Sequence, residues 1–131
     1  MNLIDIYRCL SHPTRQRLVN LLLDGELCVC HFQEILGESQ VAISKQLAYL
    51  RSHGMVEARK EASWVIYRLP AQPSPELALN LACLRESVKA NAGFQRDLDK
   101  RLKAECRFAD ESPICCPPQN AKRRSKELSS P

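Results

Sequence analysis

A chain of 131 residues, 44% of them hydrophobic, has room for one modest core and a tail. Its formal net charge of +4 is too small to argue for nucleic acid by itself, and it has no apolar run of the roughly 18 residues that a membrane span needs. The start, MNLIDIYRCL, lacks the basic and then apolar character of a secretory signal, so the seven cysteines point to thiol chemistry in a cytoplasmic protein rather than to a disulfide scaffold.

In chain order, Leu3 to Leu10 reads as a short helix with Ile6 and Leu10 on one face and Cys9 buried beside them. Pro13 can open a second helix at its first turn; Leu18, Leu21 and Leu22 give it an apolar face, and Asp24-Gly25 ends it. The segment ELCVC follows, with Cys28 and Cys30 at the start of a helix that Gly37 can close. Arsenic(III), antimony(III), cadmium, lead and copper(I) are soft and prefer thiolate ligands. In a regular helix, residues i and i+2 point about 200° apart, so two such sulfurs meet one ion only if that helix start bends. The plainer alternative is a pair of half-buried cysteines.

Ser39 can cap the next helix, in which Ile43, Leu47 and Leu50 form a buried stripe and Gly54 marks the end. Its other face carries Gln40, Val41, Ser44, Lys45 and Ala48, and no acid occurs from Ser39 to Gly54. Such a face can approach phosphates and base edges, which makes Ser39, Gln40, Ser44 and Lys45 candidate DNA contacts. An ordinary amphipathic surface helix would show the same stripe. Met55–Lys60 and Trp64–Leu69 read as two strands around a turn at Glu61–Ser63, with Arg59 and Lys60 placed for phosphate. The expected fold is mostly α with a small β-hairpin, a winged helix-turn-helix.

HPTRQRLVNLL, then ELCVC, then SQVAISKQLAYLRSHGMVEARKE, then YRL resemble the ArsR/SmtB family of metalloregulatory repressors over about Leu3 to Pro70. The resemblance implies a homodimer, joined through its terminal helices, on double-stranded operator DNA. It further implies release when arsenic(III) or antimony(III) binds Cys28 and Cys30 as inducer, with no organic cofactor. One departure stands out. Arsenic-responsive members often place a third cysteine three residues after the second, whereas here the chain continues His31-Phe32-Gln33, and His31 replaces a usual Asp. A solvated or capping role is expected for His31. Some cadmium- and lead-responsive relatives use an N-terminal cysteine, a role open to Cys9.

After Pro70, Pro73-Ser74-Pro75 reads as a linker. Leu77, Leu81, Leu84 and Val88 then mark a dimerisation helix over 75–90, with Cys83 expected in the core. Asn91–Gly93 breaks the pattern, and Leu98 and Leu102 resume it over 94–105. None of the three histidines lies on this helix, so the zinc ligand set of some relatives is missing. The expected division is a DNA-binding and dimerisation domain at 1–105 and a flexible basic tail at 106–131, whose Cys115 and Cys116 are candidate further ligands. Alternatives are the same fold sensing cadmium, lead, methylated arsenicals or thiol oxidation. A cysteine-based reductase is the remote reading, since the chain has no Cys-x-x-Cys motif; no enzyme activity is expected.

Overall fold

The computed structural model describes residues 1–110, with side chains through residue 104. The tail cysteines Cys115 and Cys116 and the basic run KRRSK lie outside the described residues, as does the Cys106 side chain. The order is α1 (Leu3–Leu10), α2 (Pro13–Leu22), β1 (Leu27–Cys28), α3 (Val29–Leu36), α4 (Gln40–Ser52), β2 (Glu57–Glu61), β3 (Trp64–Arg68), α5 (Pro75–Val88) and α6 (Ala92–Asp110). This is the expected mostly helical fold with a small sheet. No helix among the described residues is long and apolar enough to cross a membrane.

Local chemistry explains the helix ends. Asn2 caps α1 through its side chain, and Pro13 opens α2 behind His12, whose Nδ1 accepts from the Thr14 amide at 3.1 Å. Gly37 closes α3 in the left-handed region (φ 70°), where a side chain would be strained. Ser39 Oγ then accepts from the Ala42 amide at 3.2 Å and opens α4. Only Glu38 separates these two caps, so α3 and α4 are held as a tight helix-turn-helix.

One core joins all the helices. Ile6 and Cys9 of α1, Leu18 and Leu21 of α2, Phe32 and Ile35 of α3, and Ile43, Leu47 and Leu50 of α4 are all fully buried, with Leu77 of α5 nearly so. Each such aliphatic side chain contributes about 1.5–3 kcal/mol by leaving water. Burial also pushes the Cys9 thiol up to about 11, partly opposed by Arg15, so Cys9 is a protonated packing residue.

The sheet differs from the expected hairpin. Leu27–Cys28 adds a third strand, giving the order β1-β3-β2, all antiparallel. Two residues are too short a strand to show periodicity, so only the tertiary pairing reveals it. β2 begins at Glu57 rather than Met55, because Met55 and Val56 are drawn into the core at 0% and 2% exposure. The hairpin turns at Ala62-Ser63, with Ala62 at φ 52°.

α5 and α6 confirm the expected break at Asn91, whose Oδ1 accepts from the Phe94 amide. Two assignments on these helices are corrected. Cys83 is exposed, because the buried stripe Leu77, Leu81, Leu84, Val88 turns it away from the core. Leu102 is 61% exposed, and the buried face of α6 instead carries Phe94, Asp97, Arg101 and Ala104. That face is polar because it binds polar partners. Asp97 accepts two bonds from Arg17 at 2.8 and 2.9 Å, which raises the Arg17 guanidinium above its ordinary value. Arg101 donates to the carbonyls of Leu21, Asp24 and Gly25, covering the end of α2.

Candidate metal centre and nucleic-acid interface

Cys28 is the last residue of β1 and also the N-cap of α3, in an extended conformation (φ −98°, ψ 170°). Cys30 is the second residue of α3. The pair therefore straddles a strand-to-helix junction and does not lie within one helix. The expected obstacle, two side chains on opposite helical faces, is thus removed at Cys28. Both residues pack in one small cluster with Ile66 and Trp64 of β3. Cys28 is 2% exposed and Cys30 half-buried, which leaves an approach on the Cys30 side. Among the described residues, no cluster of three or more His, Cys, Asp and Glu side chains is arranged to hold a metal ion. Cys28 is disulfide-bonded in this structure and Cys30 is a free thiol, so the pair can offer two thiolates to a soft, thiophilic ion once Cys28 is reduced.

His31 is not solvated, as the sequence led us to expect. It is 1% exposed, and its Nδ1 lies 3.2 Å from the Cys28 sulfur. A helix start followed by a core-facing Phe32 turns residue 31 inward, and the sulfur three residues back meets it.

The α4 surface carries the other candidates. Ser39, Gln40 and Lys45 are exposed, Ser44 is half-buried, and Val41 is 79% exposed between them. Lys60 is exposed at the hairpin. The α4 helix is tied to the rest of the domain through Arg15 of α2. Arg15 donates to the Arg8 and Cys9 carbonyls of α1 and to Gln46 Oε1 of α4, and its guanidinium stacks 4.1 Å from the Tyr49 ring centre.

Arg59 is placed differently from Lys60. Both ends of its guanidinium bind Glu26, one of them through Nη2 to Oε1 at 2.7 Å, and its Nε reaches Glu61 Oε1 at 3.3 Å. Its side chain is 27% exposed, and that of Glu26 only 10%. The Glu26 carboxylate holds the guanidinium above its ordinary value. Nothing local in the sequence marks this pair, whose members stand 33 positions apart.

Comparison with known proteins agrees with this geometry. Residues 12–58 match the model for "Bacterial regulatory protein, arsR family". The chain is 38% identical over 114 residues to the arsenic resistance transcriptional regulator ArsR2 of Pseudomonas putida, covering 86% of this chain and 96% of that one. It is 39% identical over 92 residues to the arsenical resistance operon repressor of Escherichia coli, covering 66% and 79%. Among solved structures it resembles HlyU from Vibrio cholerae, with TM-score 0.57, 34% identity and coverage of 63% of this chain and 87% of the other. The transcriptional repressor BigR from Xylella fastidiosa is similar too, with TM-score 0.55, 33% identity and coverage of 63% and 81%.

Proposed function

Since the chain belongs to the arsR family of bacterial regulatory proteins, we propose that it is a repressor of an arsenical-resistance operon, binding operator DNA and released when arsenic(III) or antimony(III) is held by Cys28 and Cys30. One observation carries this reading. The two sulfurs stand where the wing sheet and the helix-turn-helix meet, Cys28 being paired with Ile66 of β3 and Cys30 lying on α3.

The bound ion supplies thiophilic coordination; the residues do the rest. Reduced Cys28 and Cys30 turn their sulfurs toward a common point, and the Cys28 backbone turns with them because the side chain is short. β1 and the first turn of α3 move together, and α4 follows through the short link at Glu38. Gln40, Ser44 and Lys45 then lose register with base edges and phosphates in the major groove, Ser39 presents the start of α4, and Lys60 meets the flanking phosphate. A homodimer supplies the second half-site. The apolar residues Leu3, Ile4 and Tyr7 of α1 and Leu79 of α5 are 44–73% exposed, and a second copy of this chain suits them as cover. Cys115 and Cys116 are proposed as further sulfur ligands.

Fluorescence anisotropy on the DNA upstream of the chain's own coding region tests this reading. Parent protein is expected to dissociate with arsenite, and Cys28→Ser and Cys30→Ser to bind DNA but stay bound, because a hydroxyl does not ionise to replace a thiolate. Cadmium and peroxide arms show whether another signal acts instead. Release of either serine variant at the parent's arsenite concentration removes the pair from sensing. Truncation after Ser112 tests the tail: unchanged arsenite stoichiometry would make Cys115 and Cys116 bystanders.

A further inference from the structure

The Glu26–Arg59 pair lies on the same face of the sheet as the sensor sulfur. In the ladder, Cys28 is opposite Ile66, and Ile66 is opposite Arg59, so the three form one row across β1, β3 and β2. Opposed residues in an antiparallel sheet share a face, so Arg59 shares that of Cys28, and Glu26, just before β1, is bonded to Arg59. Glu26 thus reaches past β3 to the outer strand and grips Arg59 at both ends of its guanidinium. β1 has only two residues and two register partners, which makes it a weak lever on the wing by backbone pairing alone. The ion pair is largely shielded from water, at 10% and 27% side-chain exposure, so it is stiff where the short ladder is not.

We infer that Glu26 and Arg59 are positioning residues that transmit displacement of the Cys28 strand to the wing, so that Arg59 serves inducer-driven release and does not bind phosphate. This rests on the proposed sensing role of Cys28 and Cys30. When Cys28 turns, Glu26, two residues before it along the backbone, moves with it and draws β2 through Arg59. Lys60, the next residue, shifts with it. Glu61, two residues further along β2, also accepts from Arg59, which keeps the guanidinium aligned for this pull. The coupling runs from Cys28 along the backbone through Leu27 to Glu26, and through its hydrogen bonds to Arg59 on β2.

The test is a coupling ratio measured in the full chain: operator affinity without sodium arsenite divided by affinity at saturating arsenite. Couplings of this kind reach on the order of 100-fold. Glu26→Gln and Arg59→Gln are each expected to cut the parent's ratio at least about tenfold, while the affinity of the DNA-free protein for arsenite, read by thiolate absorbance, changes little. A purely structural role would lower stability and DNA binding with and without arsenite alike and leave the ratio intact. The double variant Glu26→Gln with Arg59→Gln leaves no charge buried alone, which guards against misfolding, and is expected to lose no more coupling than either single variant. The inference is overturned if the double variant keeps the parent's ratio. It is equally overturned if Arg59→Gln weakens arsenite-free binding and lowers the salt slope by about one, the signature of a lost phosphate contact. Failure of the parent to release DNA with arsenite would instead overturn the sensing role of the cysteines, and this inference with it.

Discussion

Breaking the α2–α6 ion pair from its two ends should have unequal effects. Asp97 is 2% exposed and Arg17 32%, and the two make two short charged hydrogen bonds. Arg17→Met leaves a carboxylate sealed between helices with neither bond. Breaking a buried pair this way costs about 3–5 kcal/mol, and water at the Arg17 end brings the expectation to the lower limit, about 3 kcal/mol. Asp97→Asn keeps shape and one acceptor, while Arg17 can turn into solvent. Its expected cost is about 1–2 kcal/mol, that of weakening charge-assisted bonds. Urea denaturation at a fixed protomer concentration measures both, the concentration being held because dimerisation would add to apparent stability. The reasoning assigns the asymmetry to desolvation at Asp97. Equal losses, or a larger loss in Asp97→Asn, would refute it.

Two further outcomes follow from the caps and the buried thiol. Ser39→Ala should cost about 1 kcal/mol by orphaning the Ala42 amide, and should weaken operator binding beyond that loss if Ser39 presents the helix start; unchanged melting would show that the cap is replaced by water. Cys9, pushed up to about 11 by burial, has a folded value above its unfolded one. Its contribution to stability is therefore complete below about pH 9 and is lost as pH rises through 11. Cys9→Ala should flatten the parent's alkaline loss across that window, as read by denaturation at stepped pH, and the same slope in both proteins would dismiss the assignment.

Much of the reader is local and could be read from the chain. Gly37, Ser39 and the spacing Ile43, Leu47, Leu50 specify a capped amphipathic helix because each effect acts within one or two turns. The same holds for α1, for the Pro13 start of α2 and for the break at Asn91. The cysteine pair was legible as two sulfurs, since ELCVC names them without reference to the rest of the fold.

What surrounds those sulfurs was decided only by tertiary structure. Cys28 escapes the helix because β1 pairs with β3, and a strand of two residues has no period to detect. His31 is buried because the helix start turns it toward the Cys28 sulfur, although histidine alone is as often found in water. Cys83 is exposed because its position on α5 falls outside the stripe, a matter of about one residue's rotation. Asp97, Arg101 and Glu26 are charged, a type that usually faces water, yet each is buried with partners far along the chain. Hydrophobic spacing reports a backbone's own period. The partner of a buried charge depends on which distant strand or helix the fold brings beside it, and that information is in no single segment.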